Sequence, residues 1–122
     1  MSSRSLVMYI LVRRDLLNPD GLKWPLGAVI AQASHAVSAL LWEHREDPNV
    51  IDYMAETDSM RKVVLAIPDE AELKNVAEKL SAKGLDHRVW TEQPENIVTA
   101  IAVKPYAKAD VHLILKKYPL FS

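Results

Sequence analysis

Residues 62–84 decide the fold class, and they read KVVLAIPDEAELKNVAEKLSAKG. Residues 63–67 are continuously apolar and rich in β-branched side chains, which predicts a central strand covered on both faces. Asp69 and Glu72 then have the spacing of a capping box, and apolar residues follow at helical intervals until Gly84 supplies a C′ stop. A buried strand that leads directly into an amphipathic helix indicates an α/β domain.

The residues before this stretch predict one more strand and two more helices. Residues 6–12 are apolar and rich in strand formers, and turn-forming residues follow at 18–21. Pro25 fits the first turn of a long helix, because its missing N–H costs nothing there. Asp47 followed by Pro48 is typical of an N-cap and N1 pair, which predicts a second, shorter helix.

The residues after this stretch complete the predicted order. A third strand is expected from about residue 85 to residue 91, and a turn over residues 92–96 leads into a fourth strand at 97–103. Apolar residues at helical intervals after Pro105 predict the last helix. The order is β-α-α-β-α-β-β-α, which predicts a single α/β domain over residues 1–122. Helical crossovers favour parallel strands and the short turn favours an antiparallel pair, so the four-stranded sheet flanked by helices should be mixed.

The composition narrows the function classes. The chain has 122 residues, a formal net charge of −1 and no cysteine. The absence of cysteine excludes disulfides, thiolate metal sites and a cysteine nucleophile, and it favours a reducing, cytoplasmic location. Residues 6–12 are too few to span a membrane, so no membrane partner is expected. With a net charge near zero, a nucleic acid would have to be held by a local basic patch.

The start of the long helix is the first candidate site, and residues 27–36 read GAVIAQASHA. Unpaired N–H groups at a helix start can receive a phosphate or a developing oxyanion, and Gly27 would allow close approach. Gln32 and His35 are three apart, on one face of the helix. We expect that face to lie away from the apolar stripe, which consists of Val29, Ala33, Val37 and Leu40. Spacing alone favours a simpler alternative, in which the small residues pack the helix and the two polar side chains satisfy backbone carbonyls.

The turn between the last two strands is the second candidate site. Glu92 could orient or deprotonate a water molecule, and Thr99 on the next strand could hold that water or a reacting ester. An ordinary polar hairpin with solvated acids explains the same residues. The four histidines lack metal-ligand spacing and no glycine run could cradle a phosphate, so neither a metal nor an organic cofactor is predicted.

Several motifs resemble the type 2 peptidyl-tRNA hydrolase family. They are VRRDL at residues 12–16 and AQASHA at residues 31–36, followed in the family's order by KVVL at 62–65, PDE at 68–70, the pair Gly84 and Leu85, and Thr99 followed by Pro105. The resemblance runs from about residue 7 to residue 120. It implies an α/β domain with a four-stranded mixed sheet. It also implies an enzyme that cleaves the ester between a peptide and the 3′-terminal ribose of tRNA.

The resemblance also implies roles for individual residues. Glu92 takes the place of the family's catalytic aspartate and Thr99 that of one active-site threonine, with a water molecule as the attacking group. His35 and Gln32 complete the predicted catalytic set. The residues expected to contact tRNA or peptidyl-tRNA are Gly27, Arg13, Asp15, Lys23 and Arg88.

The chain departs from the family pattern where charge matters most. The family has a lysine at the start of the long helix, and Ala28 replaces it here. Lys23 lies a few residues upstream, on the preceding loop. The loop between the acid and the threonine is several residues shorter than in the family, and the second threonine has no counterpart. Losing a charge that stabilises an oxyanion can cost about two to three orders of magnitude in rate, which predicts weakened hydrolysis.

Two alternatives from other classes stay open. The chain could be a non-catalytic module that keeps the fold and binds tRNA. It could instead be a protein adaptor anchored by Trp24, Trp42 or Trp90, since exposed tryptophans often anchor interfaces. The sequence also leaves open whether the protein is a homodimer.

Overall fold

The computed structural model describes residues 4–122, and a mixed β-sheet forms its centre. The strands are β1 (Leu6–Arg13), β2 (Lys62–Ile67), β3 (His87–Glu92), β4 (Ile97–Val103) and the short β5 (Tyr106–Ala107). The helices are α1 (Leu26–Glu43), α2 (Pro48–Met54), α3 (Glu70–Ala82) and α4 (Lys108–Leu115). The predicted α/β class and order of elements are confirmed, with β5 and two short 3₁₀ turns, Arg14–Leu17 and Thr57–Ser59, as additions.

The strand order is β2-β1-β4-β3, and β5 pairs with β1 outside this path. β1 runs parallel to β2 and antiparallel to β4, and β3 is antiparallel to β4. The sheet is therefore mixed, as predicted. β1 and β4 are the two central strands. Because β1, β2 and β3 run in one direction and β4 in the opposite one, the carboxyl ends of β1, β2 and β3 and the amino end of β4 all lie at the same end of the sheet.

The prediction that residues 63–67 form a central strand is wrong, because β2 is an edge strand. Val64 is 37 % exposed. The C-terminal segment covers part of this edge: the Phe121 N–H donates to the Val64 carbonyl at 2.9 Å, and the Ala66 N–H donates to the Pro119 carbonyl at 2.8 Å. A covered edge accounts for a continuously apolar strand at a position where alternation is usual.

Helices pack on both faces of the sheet and divide the core in two. On one face, Val29, Ala36 and Leu40 of α1 pack with Tyr53 of α2 and with β1 residues such as Ile10. On the other face, apolar side chains of α3 and α4 pack against different residues of β1, β2 and β4; among them are Leu73, Val76, Leu80, Val111 and Leu115. Within residues 4–122, no helix is both long and apolar enough to cross a membrane.

The boundaries of α3 follow the chemistry of its sequence. The Asp69 carboxylate accepts the Glu72 N–H at 2.9 Å, as an N-cap does. Gly84 has a positive φ of 68°, and the Leu85 N–H donates to the Leu80 carbonyl at 2.9 Å. This Schellman arrangement ends the helix where the sequence predicts.

A buried ammonium group joins α2 to the loop before β3. Lys104 is 6 % exposed, and its Nζ lies 2.7 Å from Asp47 Oδ2 and 2.8 Å from Asp86 Oδ2. Burial alone would lower the pKa of Lys104, but its hydrogen bonds to the two carboxylates outweigh burial and raise the pKa. Possible ligand atoms of His44, Asp47 and Asp86 lie within 4.8 Å of one another. Lys104 already supplies the positive charge that these carboxylates require.

Candidate functional site

A buried hydrogen bond fixes α1 on the sheet at the first candidate site. Thr99 Oγ1 donates to Gln32 Oε1 at 2.8 Å, and Gln32 Nε2 donates to the Ala28 carbonyl at 3.2 Å. Gln32 is 2 % exposed and Thr99 is 0 % exposed. The expectation that Gln32 lies away from the apolar stripe is therefore wrong. Gln32 is part of the buried face of α1, which consists of Val29, Gln32, Ala36 and Leu40.

A β-bulge explains why Thr99 faces α1. Trp90 pairs with Ala100, whereas Thr91 pairs with Val98, so Thr99 is an extra residue on β4. Ala100 packs in the α1 core, and regular alternation would have turned Thr99 to the opposite face. The bulge instead directs its hydroxyl toward Gln32, as bulges near functional sites often do. Thr99 is fully buried, and its hydroxyl joins β4 to α1 through Gln32.

Two side chains form hydrogen bonds with the backbone of Val98, just before the bulge. The β1–β4 pairing ends at Val12 and Ala100, so Val98 has no strand partner on the β1 side. Arg13 Nη1 donates to the Val98 carbonyl at 3.1 Å, and Glu70 Oε2 accepts the Val98 N–H at 2.8 Å. Together they replace the missing strand and hold β4 in place.

Arg13 is thus a buried structural group in this conformation. Its guanidinium also bonds both carboxylate oxygens of Asp15, at 2.9 and 3.0 Å. This bidentate geometry uses the side of Arg13 that a phosphate would need. Arg13 and Asp15 lie where β1 ends, at the same end of the sheet as the candidate site, and Glu70 bonds the same Val98 backbone as Arg13. Glu70 occurs in one of the family motifs, but the sequence indicates no role for it in the site.

Glu92 belongs to a second group of contacts on the α1 face. Trp90 Nε1 donates to Glu92 Oε1 at 3.0 Å, and the His35 ring stacks on the Trp90 indole with centroids 4.8 Å apart and planes 24° apart. Trp90 packs with the α1 core, and Glu92 is two residues along the same strand. Side chains two apart in a strand share a face. His35, Trp90 and Glu92 therefore lie on the same side of the sheet as Gln32 and Thr99.

Trp90, one of three tryptophans that could have anchored a protein partner, packs instead against the α1 core. It is half-buried, and it connects His35 of α1 to Glu92 of β3. No pattern in the sequence indicates this role, because the contact between His35 and Trp90 joins residues that are far apart in the chain. Of the three tryptophans, Trp42 is the exposed one, at 67 %.

Arg88 and Lys23, the two remaining cations predicted to contact tRNA, have different surroundings. The Arg88 guanidinium carbon lies 5.6 Å from the centre of the Trp90 ring, and its Nη1 is 2.7 Å from Glu43 Oε2. Arg88 is therefore placed beside the Glu92 group. Lys23 lies exposed on the loop before α1, with a φ of 53°. None of the ion pairs found within residues 4–122 involves Lys23.

The amino end of α1 is open to solvent. Pro25 is the N-cap residue, and its carbonyl accepts the N–H groups of Ala28 and Val29. Among residues 4–122, the N–H groups of Leu26 and Gly27 have no backbone partner, and the first turn holds no acidic side chain. A Cβ on Gly27 would meet no protein atom within 4 Å. This helix end can therefore accept an anion from solvent.

The arrangement combines three elements of acyl-ester chemistry on one face. Glu92 is a half-buried carboxylate oriented by an indole N–H, and His35 is an exposed imidazole stacked on the same indole. The open start of α1 supplies N–H donors and the positive end of a helix dipole. A carboxylate that activates water and donors that face a developing oxyanion are what hydrolysis of an ester requires.

Comparison with known proteins agrees with this chemistry. The family model described as "Peptidyl-tRNA hydrolase PTH2" matches residues 6–121. The chain is 50 % identical over 116 residues to a human protein named "Putative peptidyl-tRNA hydrolase PTRHD1", and the match covers 95 % of this chain and 82 % of that protein. The mouse protein of the same name is 49 % identical over the same shares of both chains.

Proposed function

The chain belongs to the peptidyl-tRNA hydrolase PTH2 family, and from that premise we propose that it hydrolyses the ester between a peptide and the 3′-terminal ribose of tRNA. The observation that carries this proposal is the Trp90–Glu92 hydrogen bond, since it orients a carboxylate on the face where α1 begins. The substrate and its place in translation come from the family. The residue roles below are our own assignments.

In the proposed reaction, Glu92 orients a water molecule and takes its proton as the water oxygen attacks the ester carbonyl. The negative charge that develops on the carbonyl oxygen faces the free N–H groups of Leu26 and Gly27. The bond between the acyl carbon and the ribose oxygen then breaks. The ribose oxygen receives this proton from Glu92, directly or through His35, and the peptide leaves as a carboxylic acid that loses its proton to solvent.

The remaining predicted residues support this step from further away. Gln32 and Thr99 hold α1 on β4 and so set where the helix start lies relative to Glu92. Arg13 and Asp15 fix the end of β1 against β4. We assign the phosphate contacts of the tRNA acceptor end to Arg88 and Lys23, which border the same face. A cytoplasmic location is part of the proposal, supported by the absence of cysteine.

A weakened rate follows from the start of α1. Ala28 stands where the family's lysine is expected, and Lys23 is on the loop and makes no ion pair among the described residues. The oxyanion would then be stabilised by backbone N–H groups and the helix dipole, without the lysine that the family has at this position. This absence of a cation also supports the second candidate function, a module that binds tRNA without cleaving it.

One experiment separates these two functions. The full chain is incubated with N-acetylaminoacyl-tRNA in water enriched in ¹⁸O, and both binding and release of the acyl group are followed. Hydrolysis predicts release above the spontaneous rate, with one ¹⁸O atom in the released carboxylate and none in the ribose hydroxyl. Binding of the substrate with release at the spontaneous rate contradicts the hydrolase and supports the binding module.

A further inference from the structure

A second charged surface lies at the far end of the sheet from the candidate site. It is a cleft of about 300 Å³ between α4 and the amino-terminal halves of β1 and β2. Four cationic or titratable basic side chains border it, and we call this surface the basic groove: Arg61, Lys108, His112 and Lys116. Its floor is apolar and includes Val63, Leu65 and Leu115.

Within residues 4–122, the two lysines of the basic groove pair with no carboxylate, whereas Arg61 also borders a second cleft that contains Asp52 and Glu56. No aspartate or glutamate is among the residues that line the cleft. All four basic side chains are exposed, and within residues 4–122 no ion pair involves Arg61, Lys108 or Lys116. Lys117, one residue further along the chain, instead pairs with Glu72 at 3.5 Å. In a chain whose net charge is −1, this makes the groove a local site of positive potential.

Helical geometry arranges three of these groups in a row. Lys108, His112 and Lys116 are four residues apart, so they lie on one face of α4 and its C-cap. With a rise of 1.5 Å per residue, the row is about 12 Å long. Asp110 lies two residues after Lys108 and therefore points to another side of the helix. Two lysines with a histidine between them, beside an open cleft, fit a ligand with repeated negative charges.

We propose that the basic groove binds the phosphate backbone of the tRNA at a point distant from the ester. This inference rests on the proposed function, because it takes tRNA as the polyanion. Val7 in the groove and Arg13 at the candidate site are six residues apart along β1, which is about 20 Å. The two sites also lie on opposite faces of the sheet. A ligand that reaches both must be an extended polyanion, and a folded RNA is long enough.

The half-buried Tyr9 ring next to the cations gives the groove an aromatic surface as well. Cations that follow a backbone, combined with an aromatic side chain, are typical of RNA-binding grooves. An acidic polypeptide would satisfy the charges but would make no use of a ring at this position. We therefore assign the groove to RNA, and acidic polypeptide is the competing ligand in the test.

The test uses deacylated tRNA and the full chain. The double substitution Lys108→Gln and Lys116→Gln removes two cations of the groove. The matched control, Lys79→Gln and Lys83→Gln, removes two exposed lysines, one in α3 and one at its C-cap, that also make no ion pair within residues 4–122. For each protein, the affinity for tRNA is measured over a range of salt concentrations, and the affinity for poly-glutamate is measured at one of them.

The inference predicts that the groove variant binds tRNA about tenfold more weakly at low salt. It also predicts that the slope of log K against log salt becomes shallower by about 1.4 to 1.8, as for the loss of two phosphate contacts. The control should match the unsubstituted chain. Three results would each overturn the inference. The first is equal affinities and slopes for all three proteins, and the second is no tRNA binding by the unsubstituted chain. The third is binding of poly-glutamate that is as tight as that of tRNA and depends on the groove.

Failure of the proposed function is recognised separately, from the release of the acyl group. A chain that binds tRNA through the groove but does not cleave N-acetylaminoacyl-tRNA supports the groove and contradicts the hydrolase. A chain that cleaves the substrate, while the groove variant keeps the original affinity and slope, contradicts the groove and supports the hydrolase.

Discussion

Thr99 donates a hydrogen bond to Gln32 across the interface between β4 and α1, over a distance of 2.8 Å and with both side chains buried. Gln32→Met leaves the Thr99 hydroxyl without its acceptor, and Thr99→Val leaves the Gln32 carbonyl oxygen without its donor. We expect each substitution to lower the free energy of unfolding by about 1–3 kcal/mol. Denaturation by urea measures both changes.

The double variant with Gln32→Met and Thr99→Val tests whether this pair acts as a unit. Replacing both partners by apolar groups of similar shape leaves no buried polar atom unpaired at the contact. The loss in the double variant should therefore be smaller than the sum of the two single losses, by about 1 kcal/mol. Additive losses would show that the two side chains contribute independently.

Lys104 makes the stability of the fold depend on pH. Burial alone would raise the pKa of Asp47, but hydrogen bonds from Lys104 and from the Asn49 N–H outweigh burial and lower it. A carboxyl group with a lowered pKa in the folded state stabilises the fold above its unfolded pKa of about 4, and this contribution is lost as the pH falls through the folded value.

Removal of Lys104 should reveal this dependence. Lys104→Met leaves Asp47 and Asp86 without their partner, and we expect a loss of about 2 kcal/mol at pH 7, less than for a fully buried pair because Asp86 is half-exposed. Below about pH 4, unfolding free energies of the variant and the original chain should converge. The exposed Lys83→Met is the control. A difference that stays constant from pH 7 to pH 3 would contradict the assigned coupling.

Trp90→Phe keeps an aromatic ring under His35 but removes the N–H that orients Glu92. We expect kcat for N-acetylaminoacyl-tRNA to fall by about 10- to 100-fold with KM nearly unchanged, since a hydrogen bond to a charged group contributes about 1.5–3 kcal/mol. The control Trp42→Phe changes an exposed tryptophan of α1 in the same way and should have no effect. An increase in KM at unchanged kcat would assign Trp90 to substrate binding.

Ala28→Lys restores a cation at the start of α1. Ala28 is half-exposed, so a lysine can be placed there without disturbing the core. If the missing charge limits the rate, kcat/KM should rise by about tenfold or more. Ile30→Lys adds the same charge at a position that is 58 % exposed on the same helix and should leave the rate unchanged. Equal rates for the two variants would mean that the lost charge is not what limits the reaction.

The helix boundaries were predictable because they depend on the chemistry of neighbouring residues. The Asp69 N-cap, the Gly84 stop and the Asp47–Pro48 start each depend on neighbouring residues, and the structure has a helix boundary at each. The position of β2 depends on pairing with distant residues. An edge strand that is covered by residues 119–121 carries the same apolar pattern as a central one, so periodicity could not separate them.

The site was predictable only in part, for the same reason. The sequence made Glu92, His35, Gln32 and Thr99 candidates for the site, but it did not indicate which of them are buried. Gln32 is an amide, and amides at helical spacing are usually exposed, so its burial depended on a partner that only the bulge at Thr99 provides. Trp90 and Glu70 act through contacts with residues far away in sequence, which no local pattern records.

The central claim is that Glu92 activates the water that cleaves the ester. Its most direct test is the single-turnover rate of acyl release from N-acetylaminoacyl-tRNA, for the unsubstituted chain, for Glu92→Gln, and for Glu95→Gln in the same turn as a matched control. We predict a fall of about 100-fold or more for Glu92→Gln, as for loss of a general base, and no change for Glu95→Gln. Equal release rates for all three proteins would contradict the account.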